Sequence, residues 1–366
     1  HPYVYTEHLR RLQRPPPPTL HGFTVGNRDD VVSPLQATTW AEALQGHPDP
    51  EFAEAIVQGL KDGFRIGFDR VSPLLSADKN MPSAAEHNDV VSEYVDAELR
   101  KKRFLGSYSI EKFAGGQINR IGVIPKGHTP GKWRIITDLS FPSGGSVNDG
   151  IDPELCSLSY VSVDDVASCA VGLGRGALLA KIDIESAYRL VPVHPDDRYL
   201  LGIRWKGKIV VDGMLPFGLR SAPKIFTMVA DTLEWVIRKA GVKQIAHYLD
   251  DFVVIGQPAS DECAESLQKM TNVCTALGVP LAKGKSEGPS TSITFLGIQI
   301  DTESGTLALP PAKLQRVRDL LSEWGDKKVC NRKELESLIG VLNHACKVVR
   351  PGRSFLRRLI DLLTGS

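Results

Sequence analysis

The stretch Ile245-Ala246-His247-Tyr248-Leu249-Asp250-Asp251-Phe252-Val253-Val254-Ile255 decides the reading of this chain. Two apolar runs, rich in β-branched and aromatic residues, flank a pair of adjacent carboxylates, and Gly256 follows. Such runs favour strands, and the break between them calls for a tight hairpin. A hairpin lifts Asp250 and Asp251 to its tip, where neighbouring carboxylates resist joint ionisation unless a cation sits beside them. The pair therefore suits a hard divalent metal bound through oxygen. On its own the stretch fits a polar turn between two core strands equally well.

Upstream, Gly176-Ala177-Leu178-Leu179-Ala180-Lys181-Ile182-Asp183-Ile184 reads as a buried strand ending near Asp183, after which Glu185 to Leu190 turns away. Arg120 to Lys126 and Lys132 to Asp138 predict a hairpin joined through Gly127-His128-Thr129-Pro130-Gly131. Lys126, Lys132 and Arg134 project from it, although edge-strand charges that protect a sheet follow the same pattern. Tyr199 to Val211 predicts a second hairpin turned at Lys206-Gly207-Lys208. Ser221 to Ala240 predicts a long helix with Ala222, Phe226, Val229, Leu233 and Ile237 on one face. Beyond the acidic hairpin come a helix over Asp261 to Leu277 and a strand pair. The order of strand, long helix, acidic hairpin, helix and strand pair is that of a layered α+β fold, not a doubly wound repeat.

The flanks are simpler. Residues 1–48 read as an irregular leader, with Arg14-Pro15-Pro16-Pro17-Pro18 an extended polyproline spacer. Helices are predicted from Pro48 to Gly63, and from the cap Asn88 through Val91, Tyr94, Val95 and Leu99 into Arg100-Lys101-Lys102-Arg103. The tail from Pro311 reads as all-helical, over about 312–324, 331–347 and 354–363, with breaks at Gly325 and Pro351-Gly352.

With 366 residues, 42% hydrophobic and 24% charged, the chain has room for two or three domains of an ordinary globular protein. Its net charge of +1 hides an asymmetry: residues 311–366 hold 12 Lys/Arg against 6 Asp/Glu. A basic tail beside an acidic site suits a polyanionic partner. The six cysteines (156, 169, 263, 274, 330 and 346) form no CxxC pair and read as reduced, buried thiols of an intracellular protein, in cytoplasm or nucleus. No apolar run is long enough for a membrane span and no signal-peptide pattern is present. A start on His1 predicts a piece of a longer protein.

Asp183 at a strand end and Asp250 at a hairpin tip can lie side by side on one sheet. Two metals about 3.5–4 Å apart, bridged by such carboxylates, are the general device for in-line phosphoryl displacement. Lys126, Lys132 and Arg134 on a reaching hairpin then face a triphosphate, which a guanidinium can grip through paired hydrogen bonds.

Here the residues resemble a family. Lys181-Ile182-Asp183-Ile184-Glu185-Ser186-Ala187-Tyr188, Leu215-Pro216-Phe217-Gly218-Leu219-Arg220-Ser221-Ala222-Pro223 and Tyr248-Leu249-Asp250-Asp251 look like motifs A, B and C of reverse transcriptases, in that order. The hairpin with Lys126 and Lys132-Trp133-Arg134 is similar to the fingers strands of that family. Leu277-Gly278-Val279-Pro280 through Lys285 resembles motif D, and Phe295-Leu296-Gly297-Ile298 resembles the primer-grip hairpin. The resemblance covers roughly residues 90–366. Ser337 to Cys346, with Val348 to Arg358, is similar to the thumb-side region of DIRS-like (tyrosine-recombinase) retrotransposons.

The resemblance implies a right-hand polymerase with palm, fingers and an all-helical thumb-like C-terminal region, divided as 1–88 extension, 89–305 fingers and palm, and 306–366 thumb. It implies RNA-directed DNA polymerisation with two Mg²⁺ ions (or Mn²⁺), an RNA or DNA template with its primer, and dNTPs. Asp183, Asp250 and Asp251 become the catalytic metal ligands, and Lys285 a general acid for the leaving pyrophosphate. Lys126, Lys132 and Arg134 become triphosphate contacts. Tyr188 becomes the steric gate against a 2′-hydroxyl. Phe217 lines the nucleotide, and Gly218 lets the backbone approach the nascent base pair. Phe295, Leu296 and Gly297 become the primer grip.

Three features depart from the retroviral pattern: Phe217 stands where Gln is usual, the fingers connector is one residue longer, and Glu185-Ser186 replaces the more usual pair. His247 reads as a packed strand histidine rather than a ligand, and Cys263 and Cys274 as core. Two other readings compete: another palm polymerase such as an RNA-dependent RNA polymerase, against which Tyr188 and Tyr248-Leu249 weigh, and a truncated fragment that only binds nucleic acid. No acidic constellation for RNase H and no recombinase signature occurs, so those activities are expected beyond residue 366.

Overall fold

The computed structural model describes residues 3–17, 22–69, 74–127 and 131–365. The end of the proline run and the middle of the fingers connector, residues 128–130, lie outside the described residues. The amino-terminal part holds α1 (Glu7–Gln13), α2 (Ala37–Ala43), α3 (Pro50–Asp62), α4 (Pro82–Glu86) and α5 (Asn88–Arg100). Next come β1 (Phe104–Tyr108), β2 (Ile118–Pro125), β3 (Trp133–Asp138), α6 (Val163–Leu173), β4 (Leu178–Asp183), β5 (Gly202–Trp205) and β6 (Lys208–Asp212). Then follow α7 (Ala222–Lys239), β7 (Ile245–Tyr248), β8 (Asp251–Gly256) and α8 (Glu262–Ala276). The chain continues through β9 (Glu287–Ser290), β10 (Ser292–Phe295), β11 (Ile298–Asp301) and β12 (Thr306–Ala308) into α9 (Pro311–Asp326), α10 (Arg332–Ala345) and α11 (Gly352–Thr364).

A four-stranded sheet in the order β7-β8-β4-β9 forms the centre. Alternation along its strands divides the side chains between two cores. Ala180, Ile182, Phe252 and Val254 face Ile225, Phe226, Val229 and Leu233 of α7. Leu179, Val253 and Ile255 face Val163 and Val166 of α6, with Phe295 and Ile298 beyond. Burial on both faces explains why β4 and β8 read as unbroken apolar runs instead of alternating ones. Strands β2 and β3 belong to a five-stranded sheet, β1-β6-β5-β2-β3, in which Ile121 and Val123 pack on Val91 and Val95 of α5. Strands β10-β11-β12 make a third sheet beneath the C-terminal helices.

Several local expectations are corrected. The irregular leader contains α1 and α2, with Leu12 and Trp40 fully buried. Tyr3 donates its hydroxyl to Glu234 at 2.9 Å, and Trp40 Nε1 donates to the Leu277 carbonyl at 3.1 Å. Asn88 is not a cap but the first residue of α5; His87 closes α4 and precedes α5 without a side-chain cap. Tyr199 and Leu200 lie in a 3₁₀ turn, so the second hairpin starts at Gly202. Gly325 sits inside α9, where one glycine beside the helix end costs only about 1 kcal/mol. None of the six cysteines is paired; Cys263, Cys274 and Cys346 are buried, whereas Cys156, Cys169 and Cys330 are only partly so.

Candidate active site

The acidic centre is built by strand register. β4 and β8 run antiparallel with Asp183 directly opposite Asp251, and β7 and β8 place Tyr248 opposite Asp251. Leu249 takes a left-handed conformation (φ 52°) to close the hairpin. Asp250 is brought alongside Asp183 because its carbonyl accepts from the Ile184 N–H at 3.0 Å. The Ala282 N–H donates to the Asp183 carbonyl at 2.8 Å, which docks the segment carrying Lys285. Lys285 Nζ then donates to Asp183 Oδ2 at 2.8 Å while its side chain remains 63% exposed.

Electrostatics follow from that crowding. Burial, then the charges of Asp250 and Asp183, push the Asp251 carboxyl up to about 6. Burial, with Asp183 beside it, also raises Asp250. The hydrogen bond to Asp183 raises Lys285, so its ammonium stays protonated. Asp183, Asp250 and Asp251 offer oxygen alone, and with Asp250 and Asp251 raised by burial and by neighbouring charge, and Lys285 drawn to Asp183, their chemistry is that of donors to a hard divalent cation. Among the described residues no group of three or more His, Cys, Asp or Glu side chains is gathered closely enough to hold a metal ion.

After β4, Ser186 (φ 58°) turns the chain into a 3₁₀ segment, Ala187–Leu190, that presents Tyr188. Its ring lies 5.2 Å from Phe217 and packs edge-on to Phe226 at 5.7 Å. Burial first, then Tyr160 and Asp250, raise its phenol well above the ordinary tyrosine value. Phe217 is 56% exposed and presents an apolar face. Gly218 has φ 91°, and a Cβ there would lie 2.8 Å from the Thr137 carbonyl of β3. The close approach that demands glycine in this structure is thus to strand β3. Lys126, Lys132 and Arg134 are exposed around the β2–β3 hairpin, where the Lys126 N–H donates to the Lys132 carbonyl at 2.8 Å. Among the described residues no ion pair joins these three to the carboxylates.

At the β10–β11 hairpin, the expected primer grip, the three residues separate. Phe295 is buried in the core, while Leu296 (φ 49°) and Gly297 (φ 74°) form the turn itself. His344 Nε2 of α10 lies 3.4 Å from the Gly297 carbonyl and Lys313 Nζ of α9 lies 3.5 Å from it, so the C-terminal helices cap this turn. His247 stacks on Phe252, but its Nε2 also meets Asp231 at 2.9 Å and Glu234 at 3.5 Å, partners the packed-histidine reading omitted. Sequence reasoning also missed Tyr160, whose ring lies 4.5 Å from that of Tyr248 and tilted 36° to it, and Asn148, whose Nδ2 donates to the Gly218 carbonyl at 2.8 Å. Both lie outside every motif, and nothing local marks them.

Residues 124–300 match the sequence profile of the family described as Reverse transcriptase (RNA-dependent DNA polymerase). This stretch is a reverse transcriptase domain. The chain is 27% identical over 276 residues to the Gag-Pro-Pol polyprotein of Human T-cell leukemia virus 3, covering 72% of the chain and 17% of that polyprotein. It is 26% identical to the Pro-Pol polyprotein of Simian foamy virus type 1 over 61% of the chain and 17% of that protein. Against the Transposon Tf2-3 polyprotein of Schizosaccharomyces pombe the identity is 24%, over 51% of the chain and 13% of that protein. The chain therefore spans less than a fifth of the length of these curated relatives. In fold, it superposes on the foamy viral protease-reverse transcriptase in complex with RNA/DNA hybrid with a TM-score of 0.57 and 16% identity, over 92% of this chain and 46% of that one. The foamy viral protease-reverse transcriptase dRH in complex with double-stranded DNA gives a TM-score of 0.55 and 16% identity, over 90% of this chain and 60% of that one. The reverse transcriptase domain thus has the palm-and-fingers polymerase fold, with helices at its C-terminal side.

Proposed function

We propose that the chain is the RNA-directed DNA polymerase of a retrotransposon and adds dNTPs to a primer 3′ end. The observation that carries this reading is the register that sets Asp183 opposite Asp251 with Asp250 alongside. Asp183, Asp250 and Asp251 would hold two Mg²⁺ ions (Mn²⁺ as substitute), which supply nucleophile activation and charge neutralisation when bound. The chain's own groups do the positioning. Lys126, Lys132 and Arg134 grip the triphosphate from the fingers hairpin, and the Tyr188–Phe217 pair crowds a 2′-hydroxyl. Lys285 holds a proton on Nζ for the departing pyrophosphate. The Leu296-Gly297 turn, braced by α9 and α10, seats the primer.

The run from Ser337 to Arg358 supports a DIRS-like origin, with 1–88, 89–305 and 306–366 as extension, fingers-palm and thumb. An RNA or DNA template and an intracellular site of action, in cytoplasm or nucleus, accord with this reading. Among the described residues no helix is long and apolar enough to cross a membrane. The test is extension of a DNA primer on an RNA template with Mg²⁺. The wild-type chain should incorporate dNTPs and reject rNTPs, and Tyr188→Ala should admit rNTPs. Failure of the wild type to extend under any template and metal, or equal use of both sugars, contradicts the proposal.

A further inference from the structure

Beside Tyr188 lies a buried charge cluster that the polymerase reading leaves unused. Only 6% of the Arg189 side chain is exposed, and groups from three other segments enclose it. Its Nη1 donates to Asp212 Oδ1 and Oδ2 at 2.9 and 2.7 Å, and to the Leu215 carbonyl at 3.2 Å. Nε and Nη2 both donate to Glu98 Oε2, at 3.3 and 2.7 Å. Glu98 on α5 and Asp212 at the end of β6 are themselves buried, and Arg103 lies 3.5 Å from the other Glu98 oxygen. The planar fork of arginine can serve acceptors in several directions at once, which the point charge of lysine cannot.

The cluster fastens both halves of the gate. Tyr188 immediately precedes Arg189, and Phe217 follows Leu215 with only the stiff Pro216 between them. The Leu215 N–H also donates to the Val191 carbonyl at 2.9 Å, and Pro192 pairs with Met214 in an isolated bridge. The turn carrying Tyr188 and the segment carrying Phe217 are therefore held side by side. Phe217 is itself exposed, so the spacing of the two rings is set by the backbone beneath them, not by enclosure.

We infer that Arg189 is a positioning residue for sugar discrimination: its bonds to Glu98, Asp212 and Leu215 fix the Tyr188–Phe217 wall against the 2′ position of a nucleoside triphosphate. The inference rests on the polymerase reading of the site. Single-nucleotide incorporation of dGTP and rGTP by the full chain tests it, with Tyr188→Ala as reference. Arg189→Lys should lower the dGTP/rGTP discrimination about tenfold, through a lower KM for rGTP, while kcat for dGTP changes little. Glu98→Gln, which keeps the side-chain shape, should shift the ratio in the same direction and carries the test if Arg189→Lys does not fold. An unchanged ratio in these variants, or an equal loss of kcat for both sugars, overturns the inference while leaving the polymerase reading intact. If the wild type incorporates neither nucleotide, that reading fails and the ¹⁹F resonance of 3-fluorotyrosine at position 188 decides the clamp alone. A shift of that resonance in Glu98→Gln supports it, and an unmoved resonance overturns it.

Discussion

At the scale of single residues, the site's chemistry turns on how charge is shared between Asp183 and Lys285. The ammonium sits 2.8 Å from the carboxylate and stays protonated, as a proton donor to a leaving group must before transfer. Lys285→Ala should lower kcat for dNTP incorporation about a hundredfold with KM nearly unchanged, measured by rapid-quench kinetics. A loss confined to KM would make Lys285 a binding group. The three aspartates were legible in the sequence because each sits in a short stretch whose local pattern names it. The pairing of Lys285 with Asp183 was not legible, since 102 residues separate them. Tyr160 and Asn148 owe their place to long-range packing, which leaves no local mark. Arg189 is adjacent to a motif residue, yet the reason for its charge lies on α5 and β6.

Among the elements, the hairpin β10–β11 and helices α9 and α10, which cap its turn, join the sheets to the C-terminal helices. Burial, together with Lys313 and Lys347, holds the His344 pKa below its ordinary 6.5, while its contact with the Gly297 carbonyl opposes the shift. The unfolded chain therefore binds more protons than the folded one in the window just below pH 6.5, so stability rises with pH through that window and falls on acidification. Hydrogen exchange of α10 should accelerate as pH drops from 7.5 to about 5.5 beyond its intrinsic pH dependence, and His344→Gln should flatten that response. A protection pattern identical in the two proteins contradicts the assignment. Strands β4, β7 and β8 and helices α7 and α8 were readable from periodicity because each is bounded and apolar on a regular spacing. Helices α1 and α2 were not, because seven residues span barely two turns and show no period. Such short helices depend on tertiary packing, supplied here by Leu12 and Trp40.

For the whole molecule, the amino-terminal segment is part of the polymerase body. Trp40 is fully buried and tied to the C-terminal end of α8 through the Leu277 carbonyl. Trp40→Ala should cost about 3–5 kcal/mol in urea denaturation, from the cavity and the lost hydrogen bond. A change near zero would mean that the segment is merely draped on the palm. The charge asymmetry makes a second prediction. Residues 311–366 carry an excess of six positive charges, and α9 and α10 within them flank the Leu296-Gly297 turn. If about six phosphates are neutralised there, affinity for a primer–template duplex should fall about a thousandfold between 50 and 200 mM salt, with little sequence preference. A flat salt response in fluorescence anisotropy would remove the tail from the nucleic-acid interface.

The account depends most on divalent cations gathering where β4 meets the β7–β8 turn. Titration of Mn²⁺ by electron paramagnetic resonance, with primer–template and the next dNTP present, reads this directly. The wild-type chain should take up two ions, and Asp183→Asn and Asp250→Asn should each lose at least one while remaining folded. Equal ion uptake and affinity in all three proteins would contradict the account.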